Sequence, residues 1–382
     1  MPAIRIRGLG LVSAYGIGVE RAVQGLRAGK PGITPLTLFA LPFQDQIQVN
    51  QFDHAPFPPG EAGAPAILEA AVREALSTAA LDTLDLRSAA LVVGTSGYLF
   101  AAEAEYRRQY VADRPAPTPA LRAPGYFAQR VAQDLGIDGP VLTLSTACSS
   151  SANALLVAAD LIRRGDVTRA LVLGIEGLSA VALTGFHSLM LLDPQGCRPF
   201  DAQRRGMQLG EAAGAVLLEA EDRATGNGDY FLGGANLCDI HHVTSATPDG
   251  SAMRAVMEMA LADAGLRPEE IGVIKAHGTG SLDNDTAEAA AMRALFGDAL
   301  PIFTGIKRYL GHTLGACGVV ELAAFLGCLR AGFIPPTAGF SAADPELRVT
   351  PLTDFRPAAK GPVMLNTFGF GGNYASLVIA HG

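Results

Sequence analysis

One cysteine and two histidines in this 382-residue chain sit where nucleophilic catalysis would need them. Cys148 lies in VLTLSTACSSSANALLVA (141–158), where a β-prone apolar run enters the small turn Ser145-Thr146-Ala147. Ala154, Leu155, Ala158 and Leu161 then set a helical apolar face that starts directly after the cysteine. Ser149, Ser150 and Ser151 offer N-cap hydroxyls there. A thiol at such an elbow meets free backbone N–H groups and the positive end of a helix, and both favour the nucleophilic thiolate. Taken alone, the stretch reads equally well as a buried structural cysteine. His277, in KAHGTG, follows an apolar run, and His312, in KRYLGHT, precedes a helical one. Flanking glycines leave each ring accessible and let backbone close around what it touches. One such histidine is more often structural, but two with a cysteine at an elbow favour a site. Lys307 stands five residues before His312 and Glu321 nine after. As a buried pair they would hold the His312 turn; as solvated charges they would do nothing. Phe368-Gly369-Phe370-Gly371-Gly372 reads as backbone donors aimed at an oxyanion with a phenyl gate, or as a plain glycine-rich loop with aromatic anchors.

The positioning elements follow from apolar patterning. Strands are expected at 4–12, 89–93, 141–144, 170–173, 215–219, 230–238, 271–276, 300–304, 362–366 and 375–380. Helices are expected at 19–26, 66–80, 100–111, 125–135, 251–264, 287–296 and 314–331, with an irregular excursion at 34–63 and a Pro-rich connection at 115–124. The chain exceeds the size at which single cores stop growing, so two halves are expected. The strand–turn–helix at Cys148 is echoed at His312, and a polar stretch divides 1–225 from 226–382. A net charge of −8 argues against nucleic-acid binding. The five cysteines form no CxxC pair, and no ligand spacing for a metal appears. With no signal-like or bilayer-length apolar run, the expected location is the cytoplasm, away from any membrane.

The ordered motifs RGLGLVSAYG, STACSSS, RPFD with GEAAGAVLLE, HHVTSATPDG, AHGTG with Asn284-Asp285, Lys307 ahead of GHTLGACG, and FGFGG run nearly end to end. Together they resemble an elongating β-ketoacyl-acyl-carrier-protein synthase of the thiolase superfamily. The resemblance implies a thiolase-like α/β fold, with two pseudo-duplicated halves in an αβαβα layering. Cys148 would accept an acyl group. His277 and His312 would bind a malonyl thioester carbonyl and promote loss of carbon dioxide. Backbone N–H groups of Cys148 and Phe370 would form the oxyanion hole. Lys307 with Glu321 would order His312, with Asp285 and Glu288 supporting. Phe370 would gate the site, moving with Thr244 to Gly250 and with Gly369 and Gly371. No metal or organic cofactor is implied. The partner would be an acyl- or malonyl-loaded acyl carrier protein, docking on basic residues such as Arg107, Arg108, Arg204 and Arg205. The resemblance implies a homodimer, or a heterodimer with a related subunit. A non-condensing, chain-length-factor-like subunit is the alternative, though such partners usually lose the nucleophile that Cys148 retains. Arg205, Ala212, Ser281-Leu282, Arg308-Tyr309 and Asn373-Tyr374 depart from the usual pattern. They suggest a pathway-specific synthase, extending a polyene or other specialised acyl chain.

Overall fold

The computed structural model describes residues 2–43, 46–58, 62–97, 99–111, 122–224 and 227–382. Most of the Pro-rich 115–124 connection and the 225/226 boundary lie outside the described residues. Among the described residues, five strands of three or more residues come from the first part of the chain: β1 (Ala3–Ser13), β2 (Ala90–Gly94), β3 (Val141–Leu144), β4 (Arg169–Glu176) and β5 (Ala212–Glu221). Five come from the rest: β6 (Tyr230–Cys238), β7 (Val273–Lys275), β8 (Ile302–Thr304), β9 (Gly361–Phe368) and β10 (Asn373–His381). Each set has the same spatial order, first-fifth-fourth-second-third. The directions match too: the fifth strand is antiparallel to both neighbours and the other pairs are parallel. The sets join where β1 meets β6, at Ile4–Phe231 and Arg5–Tyr230. The echo in the sequence therefore has a structural basis. Cys148 and His312 each follow the third strand of a set.

The helices are α1 (Val19–Arg27), α2 (Gly63–Ala79), α3 (Leu99–Val111), α4 (Tyr126–Leu135), α5 (Ser150–Arg163), α6 (Ala180–Ser188), α7 (Ser251–Ala264), α8 (Leu282–Phe296), the single turn α9 (Lys307–Leu310) and α10 (Cys317–Arg330). Strand alternation sorts them into layers. On β5, Ala212, Val216 and Leu218 face the central core with α5 and α10. Ala213, Ala215 and Leu217 face the outer core with α2 and α4. In the second set α7 and α8 cover the outer face. The result is αβαβα, with strands covered on both sides and hence apolar without a break.

Helix α10 is buried all round, as its apolar sequence requires. The expected helix at 314–331 is divided: Leu314–Ala316 forms a 3-10 turn with Leu314 at φ +41°, and α10 begins at Cys317. Among the described residues the 34–63 excursion holds one short antiparallel pair, Thr34–Pro35 with Gln48–Val49. No helix among the described residues is long and apolar enough to cross a membrane. Helices α5 and α10 meet so closely that a Cβ on Gly318 would lie 2.3 Å from the Ala152 nitrogen. Gly318→Val should therefore overpack the central layer and lower stability by about 1–3 kcal/mol or more. Thermal unfolding checks this, and an unchanged melting temperature would contradict the contact.

Candidate active site

Cys148 sits between β3 and α5 behind Ala147, whose φ is +52°. The serines that follow do not cap α5 with their side chains. The Ser149 hydroxyl donates to the Thr146 carbonyl (2.9 Å) and that of Ser150 to the Ala147 carbonyl (2.6 Å). Those carbonyls also accept the backbone N–H groups of Ser149 (3.3 Å) and Ser150 (3.2 Å), so each serine closes on the turn with both its donors and its hydroxyl is not spent on the helix end. The thiolate expectation also changes. Burial pushes the Cys148 thiol up to about 11, against the opposing pull of the Phe370 and Cys148 backbone N–H groups and of Lys307. Desolvation outweighs the local dipoles, so the resting side chain is a thiol.

His277 follows β7, and His312 lies between α9 and α10. Each ring is about 1% exposed, so neither is open to solvent as the flanking glycines suggested. Those glycines shape the turn: Gly278 and Gly280 have φ of +48° and +80°. From α8, Glu288 accepts the N–H groups of His277 and Gly278, both at 2.8 Å. Asp285 accepts those of Thr279 (3.1 Å) and Phe200 (2.7 Å). These two carboxylates thus fasten the loop that carries the histidine. Burial raises both, Glu288 to about 7. The His312 N–H donates to Gln208 O (2.7 Å) and its carbonyl accepts from Gly210 (3.1 Å). The two rings meet edge-on, with centroids 5.3 Å apart and an interplanar angle of 85°. Nδ1 of His277 is buried without a hydrogen-bond partner.

Lys307 and Glu321 form the buried pair considered from the sequence. The second partner of Glu321 was not foreseen. Lys275 of β7 takes its other oxygen and donates to the Asn366 carbonyl at 2.8 Å. Its signal was a lysine two residues after Val273, on the strand face that points at α10. Burial lowers Lys275 from its ordinary value. Both histidines are held well below theirs, first by burial and then by Lys307 and Lys275, with His312 adding to the effect on His277. They are neutral donors at physiological pH. Two further groups escaped the sequence reading. Glu176, at the end of β4, accepts from the N–H groups of Ser96 (2.8 Å) and Gly315 (3.1 Å), and burial raises it to about 7. Cys317 lies 3.0 Å from His312.

Cys148, His277, His312 and Phe370 line one cavity of about 160 Å³, with Thr244, Met190 and Val243 towards its mouth. Phe370 packs on Phe186, centroids 5.7 Å apart. A Cβ on Gly369 would lie 3.0 Å from the Cys148 nitrogen, so the FGFGG turn presses against the elbow. The Gly371 N–H donates to Val243 O at 2.6 Å, tying that turn to the 239–247 loop. Gly250 stands apart from the cavity: it begins α7 at φ +68°, and a Cβ there would meet Ala287 O at 2.2 Å. The basic candidates separate as well. Arg204 is buried and paired with Asp344 at 2.6 Å, so it offers no docking surface. Arg107 is bound to Glu103 and lies over Phe39, and Arg108 pairs with Glu105. Arg205 alone of the four lines the cavity, half exposed and 3.3 Å from Asp193.

Comparison with known proteins decides the family. The sequence matches the family described as "Beta-ketoacyl synthase, N-terminal domain" over residues 1–224 and its C-terminal counterpart over 232–341. The chain belongs to the β-ketoacyl synthase family. A chloroplastic 3-oxoacyl-[acyl-carrier-protein] synthase I from Hordeum vulgare is 30% identical over 411 residues, covering 98% of this chain and 88% of that protein. The solved ishigamide ketosynthase/chain length factor superposes with a TM-score of 0.87 at 30% identity, covering 100% of this chain and 99% of the other. A Xenorhabdus doucetiae ketosynthase solved with its chain length factor gives 0.85 at 29%, covering 100% and 98%. The thiolase-like fold is common to them.

Within this β-ketoacyl synthase the lysine–glutamate–lysine bridge makes distinct demands on each member. Glu321→Ala strands two buried ammonium groups and should cost about 3–5 kcal/mol. Lys275→Met leaves a one-to-one pair, so its cost should be far smaller. Urea unfolding of the two variants checks the order, and equal losses would contradict the shared carboxylate.

Proposed function

We propose that this β-ketoacyl synthase condenses an acyl group held on Cys148 with a malonyl-acyl carrier protein, losing carbon dioxide and releasing a 3-oxoacyl-acyl carrier protein. The observation that carries this reading is one cavity lined by a buried thiol and by two imidazoles kept neutral by burial and by adjacent lysines. In the loading step the Cys148 sulfur attacks an acyl thioester. The Cys148 and Phe370 N–H groups, which already face that sulfur, stabilise the oxyanion. The carrier thiol leaves and carries away the proton that Cys148 gives up. In the second step the malonyl thioester oxygen accepts N–H donation from His277 and His312. The bond to the carboxylate breaks, carbon dioxide departs, and the electron pair forms an enolate. The enolate carbon attacks acyl-Cys148, the carbon–sulfur bond breaks, and the thiolate is reprotonated from solvent. A neutral N–H donor suits an oxygen that gains charge only as the reaction proceeds; losing one such donor costs about 3 kcal/mol in the barrier. Phe370 would gate the cavity together with the 239–247 loop bonded to its turn.

Similarity to ketosynthases solved with chain length factors supports a heterodimer with a related subunit, a homodimer being the other arrangement. Retention of Cys148, His277, His312 and Lys307 supports the catalytic member of such a pair. The product would enter fatty acid, polyketide or polyene elongation. The acidic carrier protein would approach the mouth near Arg205. The halves would divide as 1–225 and 226–382, and the five unpaired thiols suit the cytoplasm. The test is intact-mass spectrometry with a panel of acyl carrier proteins and malonyl-carrier protein. We expect an acyl adduct that is absent from Cys148→Ala and that vanishes as a product two carbons longer forms. An adduct independent of Cys148, or no adduct from any donor with the native partner present, would overturn the reading.

A further inference from the structure

The least expected neighbour of His312 is a second thiol. Cys317 opens α10 and is fully buried. Its Sγ lies 3.0 Å from Nδ1 of His312. Two other groups face the same sulfur, and both donate to it: the Thr313 hydroxyl at 3.8 Å and the Lys307 ammonium at 3.9 Å. An ammonium has no acceptor capacity, and the Thr313 hydroxyl, at 3.8 Å, stands farther from the sulfur than Nδ1 does at 3.0 Å. The nearest acceptor for the Cys317 proton is therefore the bare nitrogen of a neutral imidazole. The protonation states agree with this. Burial pushes the Cys317 thiol up to about 12, so it keeps its proton, while His312 is held well below its ordinary value and stays neutral.

A neutral imidazole carries one N–H and one unprotonated nitrogen, and the partner of one nitrogen decides where the proton sits. We propose that Cys317 is a positioning residue whose thiol donates to Nδ1 of His312, placing the ring proton on Nε2 and so making that nitrogen the donor offered to substrate. This role rests on the decarboxylation proposed for His312. Without the thiol the ring is free to hold its proton on Nδ1, and Nε2 would then present a lone pair to the oxygen that gains negative charge. The cysteine acts through the histidine and does not touch substrate.

The competing role is packing, a small side chain filling space where α10 meets the His312 turn. Cys317→Ala and Cys317→Ser separate the two. Nitrogen chemical shifts of ¹⁵N-histidine-labelled resting protein report the tautomer directly. Wild type should show His312 protonated on Nε2, and Cys317→Ala should gain the Nδ1-protonated form. Decarboxylation of malonyl-carrier protein should fall about 3- to 10-fold in kcat in Cys317→Ala, the value of one hydrogen bond, and by more than acyl transfer to Cys148 does. Cys317→Ser, whose hydroxyl can also donate, should recover both the tautomer and most of the rate. Wild type protonated on Nδ1 would overturn the proposal. So would Cys317→Ala with an unchanged tautomer, or with equal losses in both half-reactions. If Cys317→Ala does not fold, the wild-type and Cys317→Ser spectra still decide. The tautomer is read in the resting protein, so wild type that shows Nε2–H yet fails to decarboxylate would defeat the proposed function and leave the hydrogen bond standing.

Discussion

A single carboxylate shared by two ammonium groups lies at the centre of this molecule, and the site depends on it. Glu321 on α10 takes Lys307 from the start of α9 and Lys275 from β7. Lys275 also reaches the carbonyl of Asn366 on β9. Two helices and two strands are therefore pinned at one buried point. Removing three charges from water is costly and is recovered only with close geometry and further hydrogen bonds. A packed apolar cluster could hold those elements equally well. What it could not do is place positive charge beside two imidazoles. That charge, added to burial, keeps His277 and His312 neutral and able to donate, and it opposes the protonation that would end their use as matched N–H donors.

The duplicated topology explains how the parts converge. Each set of five strands ends at the sheet edge with its third strand, and the segment that follows carries Cys148 in one set and His312 in the other. Helices α5 and α10 then lie side by side in the middle layer, in contact at Ala152 and Gly318. The Val319 N–H donates to the Ser151 hydroxyl at 3.1 Å across the same seam. Glu176 makes a second cross-link by joining Ser96 after β2 to Gly315 before α10. The nucleophile and the donors are thus fixed on rigid elements. The Phe370 turn and the 239–247 loop over the cavity are held to each other by backbone hydrogen bonds.

Much of this was legible in the residues. Strand runs buried on both faces read as unbroken apolar segments, a small-residue turn marked where Cys148 stands, and glycine-rich turns marked His277 and Phe370. The errors arose wherever burial decided the outcome. At Cys148, helix dipole and free N–H groups pointed to a thiolate, yet desolvation overrides them, and spacing does not report desolvation. At Ser149 and Ser150 the residue types suggested caps, but the sharp turn at Ala147 claims the hydroxyls. Arg204 reads as one more surface charge until Asp344, 140 residues away, is seen beside it. Lys275 sat in plain view inside an apolar strand. Its meaning required Glu321, which only the folded chain brings to it. Cys317 looked like any small residue at a helix start.

The central claim is that burial and the Lys275–Glu321–Lys307 bridge hold both active-site histidines neutral. It is tested most directly by titrating the side chains of all seven histidines by NMR between about pH 5 and 8 in labelled protein. The account predicts that His277 and His312 remain neutral throughout that range. Protonation of either buried ring near the ordinary imidazole value would contradict it, because the site would then present cations rather than neutral donors at the pH where it works.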